Sequence, residues 1–177
     1  MAEISDSKWI TRAALIGVAF VVVVLIVASI FRKPTRAVAK TNCISNVKQL
    51  ALGAIMYAGD NDDILPNGAV WMDKITEYVK YDSVFHDTTF VPDGGYGYAY
   101  RKKLSGVNET KIDKPQNLIL LFDSTLLGRN ESSELWSLPN PGRHGEGNNA
   151  AFVDGHAKWL KAPDQVFADD AKVVIEK

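Results

Sequence analysis

Four residues in the second half of the chain belong to types that bind divalent metals or move protons: Asp123, His144, Asp154 and His156. Asp123 ends an apolar run, and the two histidines lie near a turn, so the four could converge on one centre. The same residues also suit a hydrogen-bonded network that ties the Gly142–Asn149 loop to the hairpin following it. Asp154-Gly155 between two apolar stretches marks a two-residue turn, which puts Asp154 in solvent and His156 on a wet strand face. That placement favours the network. No catalytic residue, cofactor or metal is therefore expected, and Asp123, His144, Asp154 and His156 stand only as the candidate ligand set.

Other chemistry is weaker. Asp60, Asp62 and Asp63 could ligate calcium, but an EF-hand counted from Asp60 would need Gly and Glu where Leu65 and Trp71 stand. A looser calcium site and a solvated turn both remain, with the turn as the default. Gly142, Gly145 and Gly147 precede a strand rather than a helix, which argues against a phosphate cradle. Tyr96, Tyr98 and Tyr100 alternate and share one sheet face, where core packing is expected over ligand stacking. Cys43 is the single cysteine of 177 residues, so no internal disulfide exists, and it is expected to be an inert packed thiol. A net charge of −1 gives no electrostatic case for nucleic acid as a partner.

These residues must be held by elements the pattern already outlines. Residues 1–12 form a short polar tail. Residues 13–31 carry no charge and are long enough to cross a bilayer as a helix, with the lipid bilayer as partner. Arg32-Lys33-Pro34-Thr35-Arg36 makes a poor cleavage region, so an uncleaved anchor is expected, and Pro34 should bend the rod. Over 37–58 apolar residues recur at three and four positions, which predicts an amphipathic spine ending near Gly59. A short helix is expected over Trp71–Lys80 and a strand within Ser83–Val91. Further strands are expected at the alternating tyrosines, at the central buried run Asn117–Phe122, and in the hairpin. In the hairpin Phe152 should oppose Ala157 and Ala150 oppose Trp159, all four on the core face, with His156 and Lys158 outside. The fold class is α+β: a long N-terminal helix packed on a small antiparallel sheet.

Two stretches carry a resemblance. The first is Thr41-Asn42-Cys43-Ile44-Ser45-Asn46-Val47-Lys48-Gln49-Leu50, running through Tyr57 to Leu65-Pro66. The second is Arg143-His144, nine residues, then Asp154-Gly155-His156. Tyr96-Gly97-Tyr98 and a strand ending in Asp123 lie between them. Together they resemble bacterial pilin-like and pseudopilin-like proteins with the prepilin-type H-X9-DG C-terminal domain. The motif positions are Cys43, Asn46, Lys48, Gln49, Leu50, Tyr57, Arg143, His144, Asp154, Gly155 and His156.

The resemblance implies a type IV pilin-like fold over 32–177, with the spine at 37–58 and the H-X9-DG hairpin region at 143–161. It implies a structural, non-enzymatic subunit of a type IV pilus or type II secretion-like envelope assembly. Its partners would be other pilin-like subunits, met through the N-terminal helix in a homo-oligomer or filament. It places residues 1–12 in the cytoplasm and the domain outside, at the cytoplasmic membrane or in a surface filament. The Lys/Arg count alone points the other way, with Arg32, Lys33, Arg36, Lys40 and Lys48 following the span against Lys8 and Arg12 before it. The alternative is a membrane-anchored binding module or metal-dependent enzyme on the same fold. The chain departs from the wider class in having no acidic residue between Arg12 and Arg32. It also carries Val84-Phe85-His86-Asp87 where the family often has a Cys-Pro pair.

Overall fold

The computed structural model describes residues 3–30, 36–87, 91, 95–161 and 169–175. It divides into two units, Met1–Arg36 and Ala37–Lys177.

The first unit is one helix, α1 (Glu3–Ile30). Within it Trp9–Ser29 has a mean hydropathy of 2.7 and no buried residue in its most apolar window. A helix apolar on every side cannot satisfy itself in water. Length and composition suffice to cross a membrane. Ser29 turns its hydroxyl back onto the Ile26 carbonyl at 2.6 Å, so even this polar group is met inside the helix. Phe31 and the expected bend at Pro34 lie outside the described residues.

The second unit is built on α2 (Arg36–Gly59). Cys43, Val47, Leu50, Ala51, Ala54 and Ala58 are buried along one stripe, while Ser45, Lys48, Gln49 and Met56 face solvent. Small residues let neighbours approach closely. A Cβ on Gly53 would stand 2.9 Å from Val79 Cγ2, where α2 meets the segment following α3 (Trp71–Ile75). After Gly59 the chain turns tightly and its amides are spent locally: Asn61 and Asp63 both donate from N–H to the Ala58 carbonyl. Asp62 and Asp63 take positive φ in this turn.

The sheet runs β3-β1-β2-β4-β5, with β1 (Tyr98–Arg101), β2 (Ile119–Asp123), β3 (Ser132–Ser133), β4 (Gly147–Phe152) and β5 (Ala157–Lys161). β2 is central and buried throughout, as its apolar run predicts. Both of its faces are covered. Tyr98, Tyr100, Leu120, Leu121 and Ala151 join the α2 stripe in the main core. Ala99, Ile119, Phe122, Ala150, Phe152 and Leu160 form a second core, covered by Leu135 and Leu138. A bulge between Ile119 and Leu121 lets consecutive leucines both serve the first core.

Four expectations are corrected. The sheet is mixed, because β3 pairs parallel to β1. Residues 82–85 form a 3-10 turn rather than opening a strand, and 88–90 lie outside the described residues. The helix expected over Trp71–Lys80 is regular only to Ile75. The hairpin register is displaced by one: Ala151 opposes Ala157, Ala150 opposes Lys158 and Asn149 opposes Trp159. The cause is the turn. Gly155 adopts φ +85°, Gly155 N–H donates to the Phe152 carbonyl and Phe152 N–H to the His156 carbonyl, closing a three-residue loop. A slip of one residue exchanges faces. Phe152 and Ala150 therefore share a face with His156 and Lys158, while Ala157 and Trp159 lie on the other.

The spine's buried stripe sets the expected sensitivity. Leu50→Ala should lower unfolding free energy by about 2–5 kcal/mol through the cavity left in a closed core. Lys48→Ala, one helix face away, should change it by less than about 0.5 kcal/mol. Urea unfolding followed by tryptophan fluorescence measures both.

Candidate functional site

Four separate segments bring polar side chains to the seam between α2 and the sheet. The N-terminal half of α2 supplies Cys43, and the segment after the 3-10 turn supplies Asp87. The end of β2 supplies Asp123, and the loop before β4 supplies Arg143 and His144. Each is held by local chemistry. His144 N–H donates to the Gly147 carbonyl at 2.8 Å, and Arg143 N–H to Asn148 Oδ1 at 3.1 Å. Trp159 Nε1 donates to the His144 carbonyl at 2.9 Å. The loop crosses β4 so closely that a Cβ on Gly142 would overlap the Gly147 backbone. Gly142 serves this crossing, while Gly147 lies against Trp159.

Inside the seam, Asp87 is shared. Its Oδ1 accepts from the Cys43 thiol at 3.2 Å and its Oδ2 from Arg143 Nη1 at 3.3 Å. Arg143 also donates to the Gly97 carbonyl at 2.9 Å and the Ser124 carbonyl at 2.5 Å. Gly97 has φ +77°, and a Cβ there would meet Arg143 Nη1 at 2.9 Å, so the Tyr96-Gly97-Tyr98 segment needs its glycine for this guanidinium to pass. His144 Nε2 lies 3.1 Å from Asp123 Oδ2, both side chains fully buried. Asp123 Oδ2 also accepts from Asn149 N–H at 2.5 Å. Asp123 Oδ1 and both polar atoms of the Asn149 side chain are buried without a hydrogen-bond partner among the described residues. Donor atoms of Cys43, Asp87 and His144 all lie within 4.8 Å of one another.

The four sequence candidates divide into two pairs. Asp123 and His144 meet in the seam, whereas Asp154 and His156 sit at the hairpin turn, partly exposed and 2.6 Å apart. The hairpin turn lies beside Leu118, just ahead of β2, whereas Asp123 is at the end of that strand, and His156 stacks on Phe152 at 4.1 Å on the sheet face away from α2. The candidate ligand set Asp123, His144, Asp154 and His156 is therefore not brought together at one centre. Asp87 was missed. Nothing local in Val84-Phe85-His86-Asp87 marks it, and only the folded chain brings Asp87 to Cys43. Of the remaining motif residues, Lys48 and Gln49 are exposed, Asn46 is half-buried, and Tyr57 packs edge-on against Tyr78 at 6.3 Å. Gly155 meets the spine, since a Cβ there would lie 2.9 Å from Leu52 Cδ2.

Cys43, His144 and Asp123 have the residue types of a thiol hydrolase. Their environment opposes that chemistry. Burial first, then the negative charge of Asp87 and its hydrogen bond, push the Cys43 thiol far above its ordinary range. A reactive cysteine needs the reverse, a stabilised thiolate open to substrate. Cys43 is 2% exposed and His144 3%. Tyr98, packed over the same seam, is likewise pushed up by burial. No family model, no curated protein and no solved structure matches this chain.

The thiol gives a direct check. Cys43 in the folded chain should react with a maleimide at least tenfold more slowly than in urea. Comparable rates would contradict its burial. Because its folded value is raised, the stability the thiol contributes is complete below the ordinary thiol value of about 8.5 and is lost as pH rises above it. Urea midpoints should accordingly fall between pH 8 and pH 10 in the native chain and fall less in Cys43→Ala.

Proposed function

We propose that the chain is a membrane-anchored structural subunit of a pilin-like or pseudopilin-like envelope assembly, of the type IV pilus or type II secretion kind, with its sheet-bearing domain outside the cytoplasm. The observation that carries this reading is α1, apolar and exposed around its whole circumference across Trp9–Ser29. Such a surface needs lipid while the chain is in the membrane. Once extracted, it needs the same surface of neighbouring subunits, and burial at about 25 cal/mol per Å² would then drive a helical bundle. In lipid, helix association would rest on packing instead.

The second unit supports a structural role. Residues of the paired motif stretches are spent on holding the domain together: Cys43 and Arg143 on Asp87, His144 against Asp123, and Gly155 on the spine. Cys43, Arg143 and His144 meet in a closed seam rather than an open cleft. The domain so fixed would be carried passively on its helix.

Fractionation and shearing of the native cells test this together. The chain should stay with membranes through carbonate washing, be trimmed by protease added outside, and appear in sheared filaments. Val22→Arg, with an insertion cost of about 2.5–3.5 kcal/mol, should reduce both membrane retention and filament recovery. A carbonate-soluble chain, or a domain protected in sealed cells, would contradict the reading.

A further inference from the structure

We propose that Cys43, Asp87 and His144, with Asp123 as the fourth donor, form a closed structural site for a divalent transition metal of the zinc type. The donor set is the first reason. One thiol sulfur, one imidazole nitrogen and carboxylate oxygens suit zinc and its neighbours, not calcium or magnesium, which take oxygen alone.

Geometry is the second. A tetrahedral site with ligand bonds of about 2.0–2.3 Å holds its donors roughly 3.3–3.8 Å apart. Cys43 Sγ and Asp87 Oδ1 are already 3.2 Å apart. The widest separation within the Cys43, Asp87 and His144 set is no more than 4.8 Å. Contraction by about an ångström, within the reach of side-chain torsions, closes the ring. Arg143 holds Asp87 by Oδ2, leaving Oδ1 directed at the thiol. That is the arrangement of an outer group orienting a metal ligand.

The third reason is what the seam leaves unmet. Asp123 is fully buried, reaches His144 with Oδ2, and keeps Oδ1 without a hydrogen bond among the described residues; the neighbouring Asn149 amide is also unmatched there. Buried polar atoms that nothing meets destabilise the folded chain. The charges agree. Two carboxylates against one guanidinium leave the seam one negative charge in excess when the imidazole is neutral. Binding a dication displaces the thiol proton to solvent, Cys43 becomes a thiolate, and the charges of Asp87, Asp123, Cys43, Arg143 and the metal cancel.

All four donors are buried, and a closed four-donor site is structural rather than catalytic. It would bind the start of the spine to three segments distant in sequence. The proposal is independent of the membrane reading, because it concerns the second unit alone.

The test uses the full chain in detergent micelles, dialysed against zinc alone and then assayed for metal per chain. Cobalt provides a second probe, because thiolate ligation gives a charge-transfer absorption that carboxylate or imidazole ligation does not. The native chain and His156→Ala should each hold close to one zinc, and cobalt should show the thiolate band. Cys43→Ser and His144→Ala should bind at least tenfold more weakly, with the band lost in Cys43→Ser. A native chain that stays metal-free at micromolar free zinc would overturn the proposal. So would zinc retained undiminished by both variants, or a cobalt complex lacking the thiolate band. The last readout needs no variant, so it decides the matter even if a substituted chain fails to fold.

Discussion

The second unit depends on one constraint: a guanidinium and two carboxylates lie inside a helix–sheet seam, and every one of them must be answered there. Arg143 is the pivot. Its donors reach Asp87, Gly97 and Ser124, so three segments distant from it in sequence are fixed by one side chain. In a low-dielectric seam such an ion pair strengthens, but removing one partner strands the other. This couples the loop before β4 to Asp87, which in turn accepts from Cys43 on the spine. A second clamp of the same kind holds the far side. Arg101 is paired with Asp170 at 2.6 Å and with Glu134 at 2.6 Å, while Asp170 also accepts from Ile119 N–H. The weakly patterned tail is thereby tied to the central strand.

Much of the fold was legible because it rests on periodicity. The spine stripe, the alternating tyrosines and the uninterrupted run of β2 are each a local pattern that only one kind of burial satisfies. The register of the hairpin was not legible, because Asp154-Gly155 serves equally in a two-residue turn and in a three-residue loop with Gly155 at positive φ. That single difference moved Phe152 to the other face. β3 carried no signal either. Two serines have no strand pattern, and their pairing with β1 follows from where the 124–142 loop is pinned.

The candidate site was half legible for a related reason. Asp123 and His144 stand out by residue type, and their meeting was open to inference. Asp87 and Asp170 carry no local signal of burial. Their partners, Arg143 and Arg101, come from distant segments, and only the folded chain brings them together. The two units also answer burial differently. The domain closes on itself through charge pairs and two small cores, whereas α1 leaves its apolar surface to be covered by its surroundings, a division that suits the proposed anchored subunit.

The most direct measurement of the central constraint is a double-mutant cycle on Asp87→Asn and Arg143→Met, read as unfolding free energy of the domain in the full chain. Each single change should cost about 3–5 kcal/mol, because it strands a buried charge. The double change should cost clearly less than their sum, by more than about 1 kcal/mol. Costs that add to within about 0.5 kcal/mol would show that Arg143 and Asp87 act independently, and the seam would have to be held by packing alone.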